Sequence, residues 1–99
     1  KFGLRAPMVG HLGDGNFHVL LPFDPAKKEM YEKIREFNDL LIKKALEVNG
    51  TITGEHGVGL HKKEYLLEEH PDNIPVMKSI KRTIDPNNIM NPDKIFDLN

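Results

Sequence analysis

The chain has 99 residues, no cysteine and a formal net charge of −1 at pH 7, and a chain of this length forms one domain of marginal size. Without cysteine there is neither a disulfide framework nor a thiolate metal site, which is compatible with the reducing cytoplasm. The basic residues are spread along the chain, so no nucleic-acid-binding surface is expected, and no apolar run is long enough to span a membrane.

The first predicted element is a β-hairpin that brings two histidines together. Strands are predicted over 5–12 and 17–22, joined by a two-residue turn at Asp14-Gly15. In that register His11 lies directly opposite His18, with Cβ atoms roughly 5 Å apart. Two imidazoles at that distance can share a metal ion, but without a third ligand they are equally well explained as incidental. The other face is predicted to be apolar, with Met8, Leu12, Phe17, Val19 and Leu21.

A long amphipathic helix is predicted next, over residues 26–48. Asp24 is the expected N-cap with Pro25 at the first helical position, and Asn49-Gly50 is the expected stop. Apolar residues recur every three or four positions and predict the buried face: Met30, Ile34, Phe37, Leu41, Ala45 and Val48.

The second half of the chain predicts one short β-prone segment, Thr51-Ile52-Thr53, and helices over 60–69 and 74–84. The last helix is expected to turn Val76, Met77, Ile80 and Ile84 inward. The predicted fold class is α+β, with helices covering a small antiparallel sheet. Because two or three strands are poorly stabilised alone, part of the apolar surface should be exposed or buried by a partner copy.

A second candidate site lies where Glu55 and His56 stand next to each other among three glycines. In an extended segment these neighbours point to opposite faces and would do different jobs, unless the glycines bend the chain. The stretch is also typical of an ordinary loop, with Gly54 and Gly57 as turn residues.

Together the two stretches resemble the FAD-linked oxidases and dehydrogenases of D-2-hydroxy acids. This family includes D-lactate dehydrogenases, the flavin subunit of glycolate oxidase and D-2-hydroxyglutarate dehydrogenase. Its Gly-His-x-Gly-Asp-Gly-Asn-x-His motif stands at residues 10–18, and its Glu-His-Gly-x-Gly motif at residues 55–59, followed by Lys62. Its Asp-Pro…Asn-Pro-x-Lys-Ile ending stands at residues 85–95, with Asp93 where the family usually has glycine.

The resemblance implies that residues 1–99 are the C-terminal part of a substrate and metal domain, in a longer enzyme whose FAD-binding domain lies upstream. That enzyme would oxidise a D-2-hydroxy acid, such as D-lactate or a glycolate-like acid, to the 2-oxo acid. The implied partners are the small acid, the FAD-binding domain, an electron-acceptor subunit and a second copy of the chain. The expected location is cytoplasmic, or at a membrane through partners. The chain alone is expected to be inactive, because it has no dinucleotide-binding glycine-rich turn.

Individual roles also follow from the resemblance. His11, His18 and Glu55 would bind a divalent metal, and two imidazoles with a carboxylate suit zinc, manganese or iron. Such an ion lowers the pKa of the substrate hydroxyl, and His56 would take its proton as general base. The family positions near the flavin are Asn91 and Lys94.

Several residues and functions stay open. Asn16 is a candidate for a polar contact near the metal, and equally for satisfying the hairpin turn. Lys62 could pair with Glu55 or a substrate carboxylate, although a surface lysine is more common, and His61 and His70 are expected to face solvent. The alternative functions are a non-catalytic metal-binding or self-association module, and an enzyme resembling alkylglycerone-phosphate synthase. An upstream FAD-binding domain would distinguish enzyme from module.

Overall fold

The structure, a computed structural model, describes residues 3–99 and divides into two compact units, one up to Gly50 and one from Thr51 onward. The elements are β1 (Met8–His11), β2 (Asn16–Val19) and α1 (Lys28–Glu47) in the first unit, and α2 (Lys63–Glu69) and α3 (Ile74–Ile84) in the second. A two-stranded antiparallel sheet with three helices confirms the predicted α+β class. Among the described residues, no helix combines the length and the apolar character needed to cross a membrane.

The hairpin has a different register from the predicted one. His11 lies opposite Asn16, so the connecting loop holds residues 12–15 instead of two residues. A two-residue type I′ turn needs positive φ at both central residues. Only Gly15 of the predicted pair has it, at 72°. Instead, Leu12–Asp14 forms one 3₁₀ turn, closed by a 3.1 Å hydrogen bond from the Gly15 N–H to the first carbonyl of that turn.

The faces of the hairpin survive this change. The register moves by two residues, and side chains alternate with a period of two, so each strand residue keeps its predicted face. Phe17 and Val19 therefore still lie opposite the histidine face. Leu12 is the exception, because it has left the strand for the 3₁₀ turn and is 82% exposed.

Helix α1 starts at Lys28, later than the predicted residue 26, and Asp24 is not its N-cap. The Asp24 carboxylate accepts a 3.0 Å hydrogen bond from the Ala26 N–H and forms a turn ahead of the helix. Lys27 takes the N-cap position. Five of the six predicted core residues are half-buried, whereas Val48 is 65% exposed at the C-cap.

The predicted end of α1 is confirmed. Asn49 adopts a left-handed φ of 64°, which asparagine tolerates better than most residues. The N–H of Gly50 then donates to the Ala45 carbonyl at 2.7 Å, and that of Asn49 to the Leu46 carbonyl at 3.1 Å. These two bonds form a Schellman motif, which satisfies carbonyls that the helix leaves unpaired.

The second unit has no strand at residues 51–53, contrary to the prediction. Glu69, the last residue of α2, accepts hydrogen bonds from the Thr51 hydroxyl at 3.1 Å and from the Ile52 N–H at 3.4 Å. The Glu69 side chain therefore accepts the hydrogen bonds that a neighbouring strand was expected to accept. Helix α2 also begins later than predicted, at Lys63. The buried apolar residues of this unit are Ile52, Leu66 and Ile74.

Helix α3 has the predicted bounds but not the predicted buried face. Val76 is 60% exposed, Ile80 55% and Ile84 69%, while Ile74 is buried. Part of this face lines an open apolar groove of about 360 Å³. Amphipathic spacing identifies an apolar face, but it does not supply a neighbouring element to cover it. The expectation that part of the apolar surface is exposed is thus confirmed.

Asp85 holds the segment that follows α3. Its side chain is only 4% exposed, and its carboxylate accepts hydrogen bonds from the Ile89 N–H at 3.1 Å and the Met90 N–H at 2.9 Å. The Lys81 ammonium also donates to it. The bond from Lys81, together with the two N–H groups, holds the pKa of Asp85 below its usual value, although burial acts in the opposite direction. This carboxylate fixes the chain that leads to residues 91–95.

Candidate active site

The polar face of the hairpin carries three of the predicted site residues. His11 lies opposite Asn16, and His18 lies opposite Val9, so both histidines and the asparagine project to the same side. The prediction of one shared face is confirmed, and the prediction of a directly opposed pair is wrong. The histidines are diagonal neighbours, which places their backbones about 7–8 Å apart. His11 is exposed, while Asn16 and His18 are half-buried.

Glu55 and His56 occupy the two central positions of a tight turn, hereafter the Glu-His turn (residues 54–57). The N–H of Gly57 donates to the Gly54 carbonyl at 3.2 Å and closes it. Gly57 has a φ of 72°, a value that glycine adopts without strain. Both side chains are exposed. Because the segment is not extended, the alternation that predicted opposite faces for the two residues does not apply.

A lysine and a threonine brace the Glu-His turn. The Lys62 ammonium donates to the Thr53 hydroxyl at 2.8 Å, and the Thr53 hydroxyl donates to the Gly57 carbonyl at 2.8 Å. The Lys62 ammonium therefore contacts a hydroxyl, whereas the sequence left open a pairing with a carboxylate and an ordinary surface position. Sequence reasoning did not single out Thr53. The available signal was a threonine beside a glycine-bounded turn, since threonine hydroxyls commonly bond nearby backbone groups.

The residues predicted to lie near the flavin are on a segment tied to the same loop. Asn91 and Lys94 flank a turn in which the Lys94 N–H points to the Asn91 carbonyl at 3.4 Å. The next N–H, that of Ile95, donates to the Gly59 carbonyl at 2.7 Å. The second unit therefore joins the segment that carries Asn91 and Lys94 to the loop that carries the Glu-His turn.

Three residues of this C-terminal segment, Asn91, Asp93 and Ile95, have positive φ, and Asn91 has the smallest value, 45°. Asp93 has a φ of 64°, which explains why glycine suits this position and why aspartate can replace it. Ile95 has a φ of 73°, which is costly for a β-branched side chain. The hydrogen bond between Ile95 and Gly59 is part of what holds this conformation.

The predicted metal ligands come from both units, with His11 and His18 in the first and Glu55 in the second. Their donor chemistry fits a divalent cation, because two imidazole nitrogens and a carboxylate oxygen are typical ligands of zinc, manganese and iron. None of the three side chains is buried, so a cation can reach each of them. Their convergence on one ion stays a prediction. His61 is exposed and the His70 side chain is 46% exposed, as predicted.

Comparison with known proteins identifies clear relatives. Residues 1–95 match the family described as FAD linked oxidases, C-terminal domain. D-lactate dehydrogenase (cytochrome) 1, mitochondrial, from Saccharomyces cerevisiae is 50% identical over 90 residues, which are 90% of this chain and 15% of the relative. The corresponding enzyme of Kluyveromyces lactis is 45% identical over 97 residues, or 97% of this chain and 16% of the relative.

A bacterial relative extends the comparison beyond lactate. The glycolate oxidase subunit GlcD of Bacillus subtilis is 40% identical over 97 residues, which are 97% of this chain and 21% of that subunit. The chain thus spans about a fifth or less of the length of the curated relatives that it matches.

Proposed function

Because this chain belongs to the family of C-terminal domains of FAD-linked oxidases, we propose that it is the substrate- and metal-binding segment of a flavin-dependent oxidoreductase. The enzyme oxidises a D-2-hydroxy acid, of the D-lactate or glycolate type, to the 2-oxo acid. The observation that carries this proposal is the hairpin register, which puts both motif histidines and Asn16 on one face. Relatives named for D-lactate, glycolate and D-2-hydroxyglutarate support the substrate class.

The reaction removes a proton from the hydroxyl and a hydride from the adjacent carbon. When bound, FAD accepts the hydride and a divalent cation supplies the positive charge that acidifies the hydroxyl. His11, His18 and Glu55 are the residues that would hold the cation. His56 takes the hydroxyl proton, a role that suits a neutral imidazole near physiological pH.

The remaining predicted residues orient rather than react. Asn16 stands across the hairpin from His11, where its amide can hydrogen-bond a substrate oxygen or fix the His11 ring. Asn91 and Lys94 are proposed to face the flavin. Their segment is joined to the Glu-His turn through the Ile95–Gly59 hydrogen bond, so the flavin side and the proton-accepting side share one support.

The partners and the compartment are also proposals. A bound flavin would need an electron acceptor, and the two yeast relatives are named D-lactate dehydrogenase (cytochrome). Both relatives are mitochondrial enzymes by name, and a cytoplasmic location for this protein stays a prediction. An upstream FAD-binding domain is the partner that the proposed reaction requires.

The test uses the full-length flavoprotein that contains this segment. Reduction of a dye acceptor is followed with D-lactate, L-lactate, glycolate and D-2-hydroxyglutarate, while absorbance measures bound flavin. We expect turnover with at least one of the D-acids or glycolate, and a preference for D-lactate over L-lactate of at least about tenfold. A flavin-loaded protein that oxidises none of these acids would overturn the proposal. If it still binds zinc or manganese, the non-catalytic metal-binding module is the better description.

A further inference from the structure

We propose that Thr53 is the positioning residue of the Glu-His turn, and that Lys62 acts through Thr53 instead of contacting the substrate. This assignment rests on the proposed function, because that function makes the placement of Glu55 and His56 matter for the reaction. The carrying observation is the relay of two 2.8 Å hydrogen bonds from Lys62 to Thr53 and from Thr53 to Gly57.

The direction of both bonds follows from the donor inventory of the side chains. A lysine ammonium only donates, whereas a hydroxyl carries one hydrogen and two lone pairs. Thr53 must therefore accept from Lys62, which leaves its single hydrogen for the Gly57 carbonyl. A hydrogen bond from a charged donor polarises the hydroxyl and strengthens its onward bond. Lys62 thus orients and reinforces the contact between Thr53 and the turn.

Together with the hydrogen bond that closes the turn, the relay holds both backbone polar groups of Gly57, and we call this arrangement the clamp. The N–H of Gly57 is held by the Gly54 carbonyl, and its own carbonyl is held by Thr53. Gly57 needs this support, because a glycine at a φ of 72° has other conformations of similar energy. Fixing Gly57 fixes the path of the two residues before it, which are Glu55 and His56.

The clamp is anchored on a helix. Lys62 is the N-cap residue of α2, and its carbonyl accepts a 3.0 Å hydrogen bond from the N–H of the buried Leu66. The Lys62 side chain is part-buried where it meets Thr53. The position of the turn is thereby fixed relative to α2, and core packing in turn fixes the position of α2. A displacement of the general base by about 1 Å can lower the rate on the order of 10²-fold, so holding the turn in place matters for catalysis.

The experiment compares Thr53→Val with Thr53→Ser in the full-length flavoprotein. Valine keeps the shape and removes the hydroxyl, while serine keeps the hydroxyl. Thr83→Val is the matched control, because the Thr83 hydroxyl donates to the Ser79 carbonyl at 2.9 Å within α3 and has no part in the clamp. With the best D-2-hydroxy acid as substrate, we expect Thr53→Val to lower kcat about 10- to 100-fold with KM within about twofold. Thr53→Ser and Thr83→Val should stay near wild type.

Lys62→Met and the double variant separate an indirect from a direct role of the lysine. If Lys62 acts through Thr53, the Lys62→Met variant lowers kcat without raising KM, and Thr53→Val with Lys62→Met is no worse than the worse single variant. If Lys62→Met raises KM and the two effects multiply, Lys62 binds the substrate and its assigned role is overturned. A wild-type kcat in Thr53→Val, or an equal loss in Thr53→Ser, overturns the role of the Thr53 hydroxyl.

Hydrogen–deuterium exchange tests the clamp without reference to activity. The peptide that covers residues 54–59 should exchange about tenfold faster in Thr53→Val than in wild type, and at the wild-type rate in Thr53→Ser and Thr83→Val. Unchanged exchange in Thr53→Val would show that no clamp exists. An inactive wild-type enzyme with faster exchange in Thr53→Val would instead contradict the proposed function and leave the clamp supported.

Discussion

A Cβ atom on Gly10 would stand 2.3 Å from the backbone oxygen of Asn16 across the hairpin. The next atom in its way is the Cα of Phe17 at 2.5 Å, so both obstacles are backbone and neither can rotate aside. The two strands that carry the histidines therefore approach each other at a point where only glycine fits. This contact is the physical reason for the first glycine of the Gly-His-x-Gly-Asp-Gly-Asn-x-His motif.

Gly10→Ala should destabilise the chain by about 2 kcal/mol, because the backbone has to move to admit the methyl group. Gly13→Ala is the matched control, since a Cβ at Gly13 meets nothing within 4 Å. Urea unfolding of each variant, followed by far-UV circular dichroism, measures the difference. Equal midpoints for the two variants would show that the strands do not approach each other at Gly10.

Asp85 should make stability depend on pH at the acid end. Its pKa is held below the usual value of 3.8, first by the hydrogen bond from Lys81. A group whose pKa is lower in the folded state stabilises the fold above its unfolded pKa, and that contribution disappears as pH falls through the folded pKa. The stabilisation by Asp85 is therefore complete above about pH 5 and declines as pH falls below this usual value of 3.8.

Asp85→Asn tests this dependence directly. The variant should be less stable than wild type at pH 7, and the difference should shrink as pH falls below the usual pKa of an aspartate, because wild type then loses the same contribution. Thermal unfolding between pH 2 and pH 7 measures it, and Asp72→Asn at an exposed position is the control. A constant difference between Asp85→Asn and wild type across this range would contradict a lowered pKa.

His11 and His18 should each be needed for binding a divalent cation. Removing one of three ligands should weaken zinc or manganese binding at least about tenfold. Calorimetric titration of the chain with His11→Ala, His18→Ala and the control His70→Ala measures this, because the His70 side chain is 46% exposed at the end of α2 and lies outside the proposed site. Equal affinity in wild type and His18→Ala would remove His18 from the ligand set.

The adjacent residues of the Glu-His turn should have separable roles in the full-length enzyme. Glu55→Gln keeps the shape but removes the charge that holds a dication, so metal content and activity should fall together. His56→Asn should leave metal and flavin content near wild type and lower turnover about 10²–10⁴-fold, the usual contribution of a positioned general base. Metal analysis beside steady-state rates distinguishes the two variants.

The geometry of the Glu-His turn makes the comparison of Glu55→Gln with His56→Asn informative. Glu55 and His56 sit at the centre of a closed turn, where chain alternation does not separate them. If His56→Asn loses the metal as completely as Glu55→Gln, His56 is a ligand and another residue is the base.

The elements whose signals are local could be predicted from the sequence. Helix α3 has its predicted bounds, and α1 ends at Asn49-Gly50 because asparagine and glycine can form the Schellman motif there. The shared face of His11 and His18 was predictable for a similar reason. Alternation along a strand has a period of two, so a two-residue error in register does not change it.

Tertiary structure alone decided the features that depend on a distant partner or on a choice among similar local conformations. The hairpin closed with a 3₁₀ turn instead of a two-residue turn, which made the histidines diagonal neighbours. Thr51 and Ile52 donate hydrogen bonds to the Glu69 carboxylate instead of pairing with a strand, and Val76, Ile80 and Ile84 on the apolar face of α3 are exposed. The support that Lys62 and Thr53 give to the Glu-His turn joins residues nine positions apart. Its reason is physical: hydrogen bonds between loop side chains follow from where packing places them, and no periodicity in the sequence records that placement.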